Sequence, residues 1–261
     1  MDYLVFRLYG PMASWGDIAV GESRHSHNGP TKAAVLGLVA AALGIKREEE
    51  ATHLALNQHY MLATAVKCKG QLLRDYHTVQ APDSVGKFRY RTRRDELVAG
   101  RERLGTVLSS REYRMDALAW VALRMSSPDA QAPFTLAHMA DALLQPKYSL
   151  YLGRKSCPLA APLQPQLIQA EGFQGAFQQY QPGSLLFSSE PDHQQAAAAR
   201  YLATDALVEY SWEGELADFS VEPTTDTRTL MTVIQHDQLL SRQRWQFAPR
   251  KVLRLYLTEG R

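Results

Sequence analysis

Alternating apolar and polar positions near the N-terminus predict a β-strand from Tyr3 to Leu8, which ends at the breaker Gly10-Pro11. After a polar stretch, Pro30 lies where a helix can begin, and a broad apolar face continues to Gly44, a typical helix stop. The helix contains small residues at Gly37 and from 40 to 42, so we expect it to pack closely against a sheet.

The same reading predicts a second β-α-β unit further along the chain. A strand at Met61–Lys67 completes the first unit. The second unit consists of a strand at Ala117–Met125, a helix at Thr135–Leu144 that Pro146 stops, and a last strand after Pro162. Two β-α-β units in succession predict an α+β protein with a ferredoxin-like βαββαβ domain, the architecture of RNA-recognition modules.

A long basic segment separates the two units. The chain from Arg74 to Arg114 carries Lys87 and nine arginines and is too long for a tight connection, so we predict an inserted thumb at 74–114, either a projecting hairpin or a helical arm. Residues 1–165 would form the RNA-binding domain that carries it. Residues 166–261 would form a β-rich C-terminal subdomain whose topology the pattern does not define.

Composition is that of an ordinary soluble globular protein: 261 residues, 45% hydrophobic, 21% charged and a net charge of +2. So small a net charge gives no overall field toward nucleic acid, and any RNA binding must come from local clusters of cations.

Two cysteines without CxxC spacing predict neither a disulfide framework nor a zinc site. The N-terminus shows no signal peptide, and the longest apolar run, 33–43, is too short to cross a bilayer. We therefore expect a cytoplasmic protein with no membrane partner, no metal and no cofactor.

The run from Lys87 to Arg94 alternates cations with aromatic or polar residues. If extended, it would present Lys87, Arg89, Arg91 and Arg93 on one face and Phe88, Tyr90, Thr92 and Arg94 on the other. One face could follow a phosphate backbone while the other stacks on bases. A solvated edge strand whose cations prevent pairing with another chain explains the same pattern equally well.

Three further segments hold candidate binding residues. Gly29-Pro30-Thr31-Lys32 lies at a helix N-terminus, which attracts phosphate but is also consistent with a plain cap. Leu73–Val79 concentrates polar residues in a strand-like stretch. In Lys147–Pro158, a glycine permits close backbone approach, and Arg-Lys-Ser after it offers two charges and a hydroxyl to an anion.

Catalysis finds little support in the sequence. Histidine, tyrosine and lysine are available for metal-free RNA cleavage, but the adjacent Tyr76 and His77 would point to opposite faces of a strand. HExxH spacing, a phosphate-binding glycine-rich loop and a GxSxG turn are all missing from the sequence. We predict no catalytic residue and no metal ligand.

Several ordered segments together resemble a known family. They are Gly10–Gly16, Pro30–Lys32 followed by Leu36-Gly37-Leu38, Leu43-Gly44-Ile45, Arg74–Val79 and Tyr151–Leu159. The set resembles the CasD family, the CRISPR-associated subunits of type I-E Cascade within the repeat-associated RNA-binding superfamily. The resemblance is dense from residue 1 to about residue 160 and weak beyond.

The resemblance implies a ferredoxin-like domain with a thumb, which grips the 5′ handle of the CRISPR RNA (crRNA) and caps the filament of backbone subunits. It also implies contact with the large subunit that reads the protospacer-adjacent motif, and hence an indirect role toward target DNA. Arg111 matches a thumb arginine near the handle–spacer junction, and Gly153–Ser156 would meet the handle backbone. Arg154-Lys155 stands where an Arg-Arg pair is usual in the family, which weakens the case for bidentate phosphate binding.

The predicted RNA-binding residues are Arg24, Lys32, Arg74, Tyr76, His77, Lys87, Phe88, Arg89, Tyr90, Arg91, Arg111, Gly153, Arg154, Lys155 and Ser156. The favoured function is a non-catalytic RNA-binding and assembly subunit of a cytoplasmic antiviral ribonucleoprotein. The alternatives are a metal-independent endoribonuclease that processes CRISPR repeat RNA, as a sister branch of the family does, and a scaffold whose basic arm binds only acidic proteins.

Overall fold

The computed structural model describes residues 1–19, 21–83, 89–98, 101–127, 132–183, 204–220 and 229–258. Eleven strands are present among these residues. Seven of them form the main sheet: β1 (Asp2–Tyr9), β4 (Tyr60–Cys68), β7 (Leu118–Met125), β8 (Gln166–Gln169), β9 (Leu207–Trp212), β10 (Met231–Ser241) and β11 (Gln246–Thr258).

The main sheet runs in the order β10-β11-β9-β4-β7-β1-β8, and every neighbouring pair is antiparallel. Because β7 lies between β1 and β4, those two strands run parallel, with two helices in the connection that joins them. β7 and β8, on either side of β1, are likewise parallel, with a helix in their connection. Each half of the chain before residue 170 is therefore a split β-α-β unit.

Six helices accompany the sheet in the described part of the chain: α1 (Lys32–Leu43), α2 (Glu50–His59), α3 (Arg93–Val98), α4 (Leu136–Leu144), α5 (Phe173–Gln179) and α6 (Leu216–Phe219). Helices α1 and α4 pack on one face of the sheet against Leu4, Phe6 and Leu8 of β1. This face is the one that the alternation in β1 predicts.

The second face of the sheet is buried as well. Tyr3 and Val5 of β1 point into a cluster with Phe173 and Phe177 of α5 and Phe219 of α6. Trp212 of β9 stacks on Phe219 with ring centroids 4.4 Å apart. The polypeptide after β8 thus covers the face that α1 and α4 leave open.

The remaining strands are β2 (Met12–Ala13), β3 (Ser23–Arg24), β5 (Gln71–Pro82) and β6 (Leu104–Met115), which form a smaller sheet. β5 and β6 make a continuous antiparallel hairpin of twelve residue pairs, from Gln71–Met115 to Pro82–Leu104. At the base of this hairpin β6 also pairs with β2 and, in parallel, with β3. Helix α3 and a 3-10 turn at Arg101–Arg103 belong to the connection at its tip.

The hairpin continues the two neighbouring central strands of the main sheet. β4 passes into β5 through Gly70, with a φ of +64°, and β6 passes into β7 through Asp116, with a φ of +54°. A Cβ at Gly70 would lie 2.1 Å from the carbonyl oxygen of Met115, so glycine is required where the two bends meet.

The α+β class and the positions of the first strand, the two predicted helices and the two central strands are confirmed, whereas α2 was not predicted. The excursion between Arg74 and Arg114 contains a hairpin, and most of the side chains that the structure describes there are exposed. Strands β8 to β11 join the same sheet as β1. The division of the chain into domains 1–165 and 166–261 stays a prediction.

The extended run proposed for 87–94 is wrong in its described part. Residues 89–92 belong to no strand, and Arg93 and Arg94 begin α3 instead. The reason is local: the Asp95 carboxylate accepts hydrogen bonds from the amides of Arg91 and Thr92, a helix-capping arrangement that competes with an extended chain. Lys87 and Phe88 lie outside the described residues.

Gly153 joins the loop before β3 to the segment 149–158. Its φ is +83°, and a Cβ built there would lie 1.8 Å from the Ser14 carbonyl oxygen. The Ser14 amide donates to the carbonyl of Leu152 at 3.0 Å, which fixes this approach. The close contact that the sequence led us to expect at Gly153 is therefore with the protein's own backbone.

We expect Gly153→Ala to lower the free energy of unfolding by about 2 kcal/mol or more, because it adds both a steric clash and an unfavourable φ. Gly16→Ala is the matched control, since a Cβ at Gly16 meets no atom within 4 Å. Urea denaturation followed by circular dichroism measures both. Equal stability of the two variants would contradict the packing argument.

Candidate nucleic-acid interface

Two arginines that are far apart in sequence meet at the base of the hairpin. In the parallel pairing of β3 with β6, Arg24 lies beside Arg111. On the other side of β6, Asp75 is the cross-strand partner of Arg111. Partners across a ladder share one face of the sheet, so Arg24, Arg111 and Asp75 line the same surface, here called the arginine face.

A third arginine reaches this surface from the loop after Gly153. The Arg154 guanidinium lies over the ring of Tyr113, 4.9 Å from its centroid. Tyr113 is two residues from Arg111 on β6, and therefore points to the same side. The arginine face thus brings together Arg24, Arg111 and Arg154.

The charge of Arg111 is not neutralised by its neighbours. Among the described residues no carboxylate lies within ion-pair distance of Arg111. Its cross-strand partner Asp75 lies 3.3 Å from His77 Nδ1. The side chain of Arg111 is exposed. Within the described part of the chain, Arg24 donates to the carbonyls of Gly21 and Ser23, at 2.6 and 3.1 Å. Both guanidiniums can therefore bind an anion without giving up a carboxylate partner.

The opposite face of the hairpin base is organised by Glu112. Its Oε1 lies 3.0 Å from Arg74 Nη2 and 3.3 Å from His25 Nδ1. Its Oε2 accepts from the Ser26 amide at 3.3 Å. One carboxylate therefore binds β5, β6 and the segment after β3 together.

Burial would raise the pKa of Glu112, but the hydrogen bonds from Arg74 and the Ser26 amide, with His25 nearby, outweigh it and hold the pKa below the ordinary value of 4.5. The carboxylate is consequently ionised in the folded protein at neutral pH. Arg74 and the Ser26 amide therefore contact a carboxylate that carries a negative charge at this pH.

Tyr76 and His77 lie on opposite faces of the hairpin, as the alternation along β5 requires. Tyr76 shares the face of Arg74 and Glu112 and is 60% exposed. His77 shares the arginine face with Asp75. These two residue types, which a nuclease would have to combine, are therefore separated by the strand itself.

Lys32 lies away from solvent and from the arginine face. Its side chain is 3% exposed, and its ammonium lies 2.9 Å from Glu213. The N-terminus of α1 is likewise occupied, because the Lys32 amide donates to Asp237 Oδ2 at 2.7 Å and the Ala34 amide to the Thr31 hydroxyl at 3.3 Å. The protein's own carboxylates have taken the place of the phosphate expected there, and this geometry argues against Lys32 as an RNA contact.

The other predicted residues are spread over two places. Gly153, Lys155 and Ser156 are exposed beside the arginine face. Arg89 and Arg91 are exposed at the hairpin tip and Tyr90 is half-buried there. Most of the predicted residues near the base of the hairpin therefore lie close together. Arg89, Tyr90 and Arg91 at the tip are separated from them by the length of the hairpin.

Sequence reasoning missed Glu112 and Tyr113. Neither belongs to a recognisable motif, and their roles depend on pairing with segments more than thirty residues away. The one available signal was an acid and an aromatic residue inside an otherwise basic stretch.

The described residues contain no group of three or more histidine, cysteine or acidic side chains that could hold a metal ion. None of the helices described is long and apolar enough to traverse a bilayer.

We expect Glu112→Gln to destabilise the protein at pH 7 by about 1–2 kcal/mol, since it removes a charge-assisted contact at the hairpin base. A carboxyl with a lowered folded-state pKa stabilises the fold above its unfolded pKa and ceases to do so as the pH falls through the folded value. The stability advantage of the wild type over Glu112→Gln should therefore shrink below pH 4.5. Thermal unfolding from pH 7 to pH 3 measures it, and a constant difference would contradict the assignment.

Comparisons with known proteins bear on the family and the fold. The family model described as CRISPR-associated protein (Cas_Cas5) matches residues 3–253. The chain is 34% identical over 200 residues to the CRISPR system Cascade subunit CasD of Escherichia coli (strain K12), which covers 72% of this chain and 82% of that protein.

Two solved structures share the fold. A chain of a CRISPR RNA-guided surveillance complex superposes with a TM-score of 0.60 at 20% identity, covering 98% of this chain and 90% of that one. A structure described as a Cas protein gives a TM-score of 0.55 at 23% identity, covering 98% and 95%. Since the family model spans nearly the whole chain and the E. coli relative covers more than two thirds of it, the chain belongs to the Cas5 family of CRISPR-associated proteins.

Proposed function

We propose that this protein is a non-catalytic subunit of a Cascade-type CRISPR surveillance complex, in which it binds the 5′ handle of crRNA and caps the filament of backbone subunits. The observation that carries the RNA-binding part is the convergence of Arg24, Arg111 and Arg154 on one face at the base of the hairpin. The name of the E. coli relative supports the complex.

The order of four neighbouring strands supports a ferredoxin-like domain, since β4-β7-β1-β8 carries two interleaved β-α-β units. RNA-recognition modules of that architecture stack bases on the open face of their sheet. Here that face lies under α5 and α6, so an RNA strand has to bind elsewhere. The hairpin base offers the alternative surface.

The β5–β6 hairpin would serve as the thumb. Its exposed apolar side chains include Leu72, Val79 and Val107, which are 44–55% exposed and suited to contact with other subunits. In this proposal the partners are the backbone subunit and the large subunit that reads the protospacer-adjacent motif. Target DNA would be contacted only through the complex, in the cytoplasm.

The arginine face would bind RNA mainly through phosphates. Each phosphate neutralised by a guanidinium releases counterions, so affinity should depend strongly on salt. Arg154, held over Tyr113, presents its guanidinium at a fixed orientation, whereas Lys155 next to it is exposed and adds a mobile point charge.

The endoribonuclease alternative requires a base and an acid at one scissile bond. Tyr76 and His77 are on opposite faces of β5, and His77 lies beside Asp75. Separation of these groups favours binding over cleavage. The scaffold alternative would leave the arginine face without RNA affinity.

We expect Arg111→Ala to weaken binding of a single-stranded repeat–spacer RNA and to reduce the slope of log K against log salt by about 0.7, one phosphate's share. Lys251→Ala is the control, because it removes one exposed cation from β11, away from the hairpin. Fluorescence anisotropy of the full chain from 50 to 300 mM salt measures both variants. Equal slopes for the two variants would exclude Arg111 from the interface.

We expect no cleavage of the same RNA in EDTA over hours, with wild type and His77→Ala indistinguishable on a denaturing gel. Specific cleavage that disappears in His77→Ala would make the protein a processing nuclease. Absence of any salt-dependent RNA binding by the wild type would instead favour the protein scaffold.

A further inference from the structure

A cleft of about 510 Å³ lies on the helical side of the molecule, between α1 and the loop that joins β10 to β11. This size falls within the roughly 300–1,000 Å³ typical of small-ligand sites. Its floor consists of small residues of α1: Ala33, Ala34, Gly37 and Ala41. Tyr151 and Trp245 also line the cleft, so the small residues of α1 are bordered by aromatic rings.

Trp245 is held in an unusual place for a large side chain. It ends the loop between β10 and β11 with a φ of +56°, where glycine would be less strained. The side chain is nevertheless 54% exposed and lines the cleft. Neither burial nor backbone preference accounts for an indole at this position.

Two guanidiniums lie against the indole. The Cζ atom of Arg242 is 4.1 Å and that of Arg47 is 5.1 Å from the ring centroid. The ring holds both cations next to each other by cation–π contact. Burial lowers the pKa of Arg242, and the charge of Arg47 lowers it further.

These two positive charges have no carboxylate within ion-pair distance in the part of the chain that the structure describes. The nearby Glu50 carboxylate accepts instead from the backbone amides of Arg242 and Gln243, each at 2.9 Å. The two acids that line the cleft are also engaged: Asp237 with Arg250 at 2.8 Å, and Asp17 with His27 at 3.4 Å. The exposed indole of Trp245 therefore lies beside two guanidiniums that have no ion-pair partner among the described residues.

We propose that this cleft binds one nucleotide of a single-stranded RNA, with the base stacked on Trp245 and its phosphate at Arg47 and Arg242. This inference rests on the proposed RNA-binding function. A planar ring and an anion on one ligand satisfy both the indole and the guanidiniums, whereas an acidic protein segment would satisfy only the charges.

The position of the cleft supports an RNA strand as the source of that nucleotide. Gly153 lines the cleft, and the next residue, Arg154, belongs to the arginine face. Ser14, whose carbonyl faces Gly153, also lines the cleft, and so do Gly16 and Asp17 in the same loop before β3, which carries Arg24. A strand that leaves the arginine face past Gly153 enters the cleft directly.

The test uses the full chain and a fluorescein-labelled single-stranded repeat–spacer RNA, with anisotropy as the readout. We expect Trp245→Ala to bind about 5- to 150-fold more weakly, which corresponds to about 1–3 kcal/mol of base stacking. The salt slope should stay unchanged, since no phosphate contact is lost. Trp245→Phe should restore most of the affinity, because a phenyl ring still stacks.

Leu240→Ala is the matched control, since Leu240 is 56% exposed on the same hairpin and does not line the cleft. The midpoint of thermal unfolding, compared between the wild type and every variant, checks that the β10–β11 hairpin is intact. In a second readout, RNAs with single 5-bromouridine substitutions are irradiated, and we expect one position to cross-link to Trp245, located by mass spectrometry.

Wild-type affinity in Trp245→Ala, together with loss of binding in Arg24→Ala/Arg111→Ala, would overturn this inference and leave the proposed function standing. No RNA binding by the wild type would overturn both. Trp245-dependent binding of polyglutamate that displaces the RNA would identify the cleft as a site for acidic proteins. Trp245-dependent binding of free AMP without any effect of Trp245→Ala on RNA affinity would refute the RNA strand as the source.

Discussion

A buried ion network holds the start of α1 against the hairpin that β10 and β11 form, here called the C-terminal hairpin. Arg250 forms a two-pronged contact with Asp237, at 2.8 Å from Nε and from Nη2, and reaches Glu213 at 3.0 Å. Glu213 in turn pairs with the buried ammonium of Lys32. Because these charges are removed from water, loss of any one partner would leave an uncompensated charge, at a cost of about 3–5 kcal/mol.

This network fixes β10 and β11 against α1 and so defines the cleft between them. Asp237 of β10 also accepts a hydrogen bond from the first free amide of α1. The same carboxylate thus caps the helix and fixes the C-terminal hairpin to it. A cluster of acids in the last third of the chain thus serves the fold of the first third. The candidate ligand site beside Trp245 depends on this contact between α1 and the C-terminal hairpin.

Local patterns were sufficient to predict much of the fold. Some signals depend only on residues that are close in sequence, such as the alternation in β1, the apolar face of α1 and the end of α1 at Gly44. The structure has each of these features at the predicted position. Non-local effects were not accessible. Lys32 looked like an anion ligand because the carboxylates that pair with it lie about 180 and 205 residues away. Arg24 meets Arg111 only through a parallel pairing of two short segments, which no periodicity reveals.

The β5–β6 hairpin is an arm that is attached to the middle of the main sheet and projects from it. Its two twelve-residue strands extend β4 and β7 beyond the bends at Gly70 and Asp116, giving an arm of about 40 Å at roughly 3.4 Å per residue. A load at the tip would therefore act as a torque on two strands that are packed on both faces. A shift of a neighbouring molecule against the arm would be transmitted to both cores of the protein, whereas an arm attached at the edge strand would leave them undisturbed.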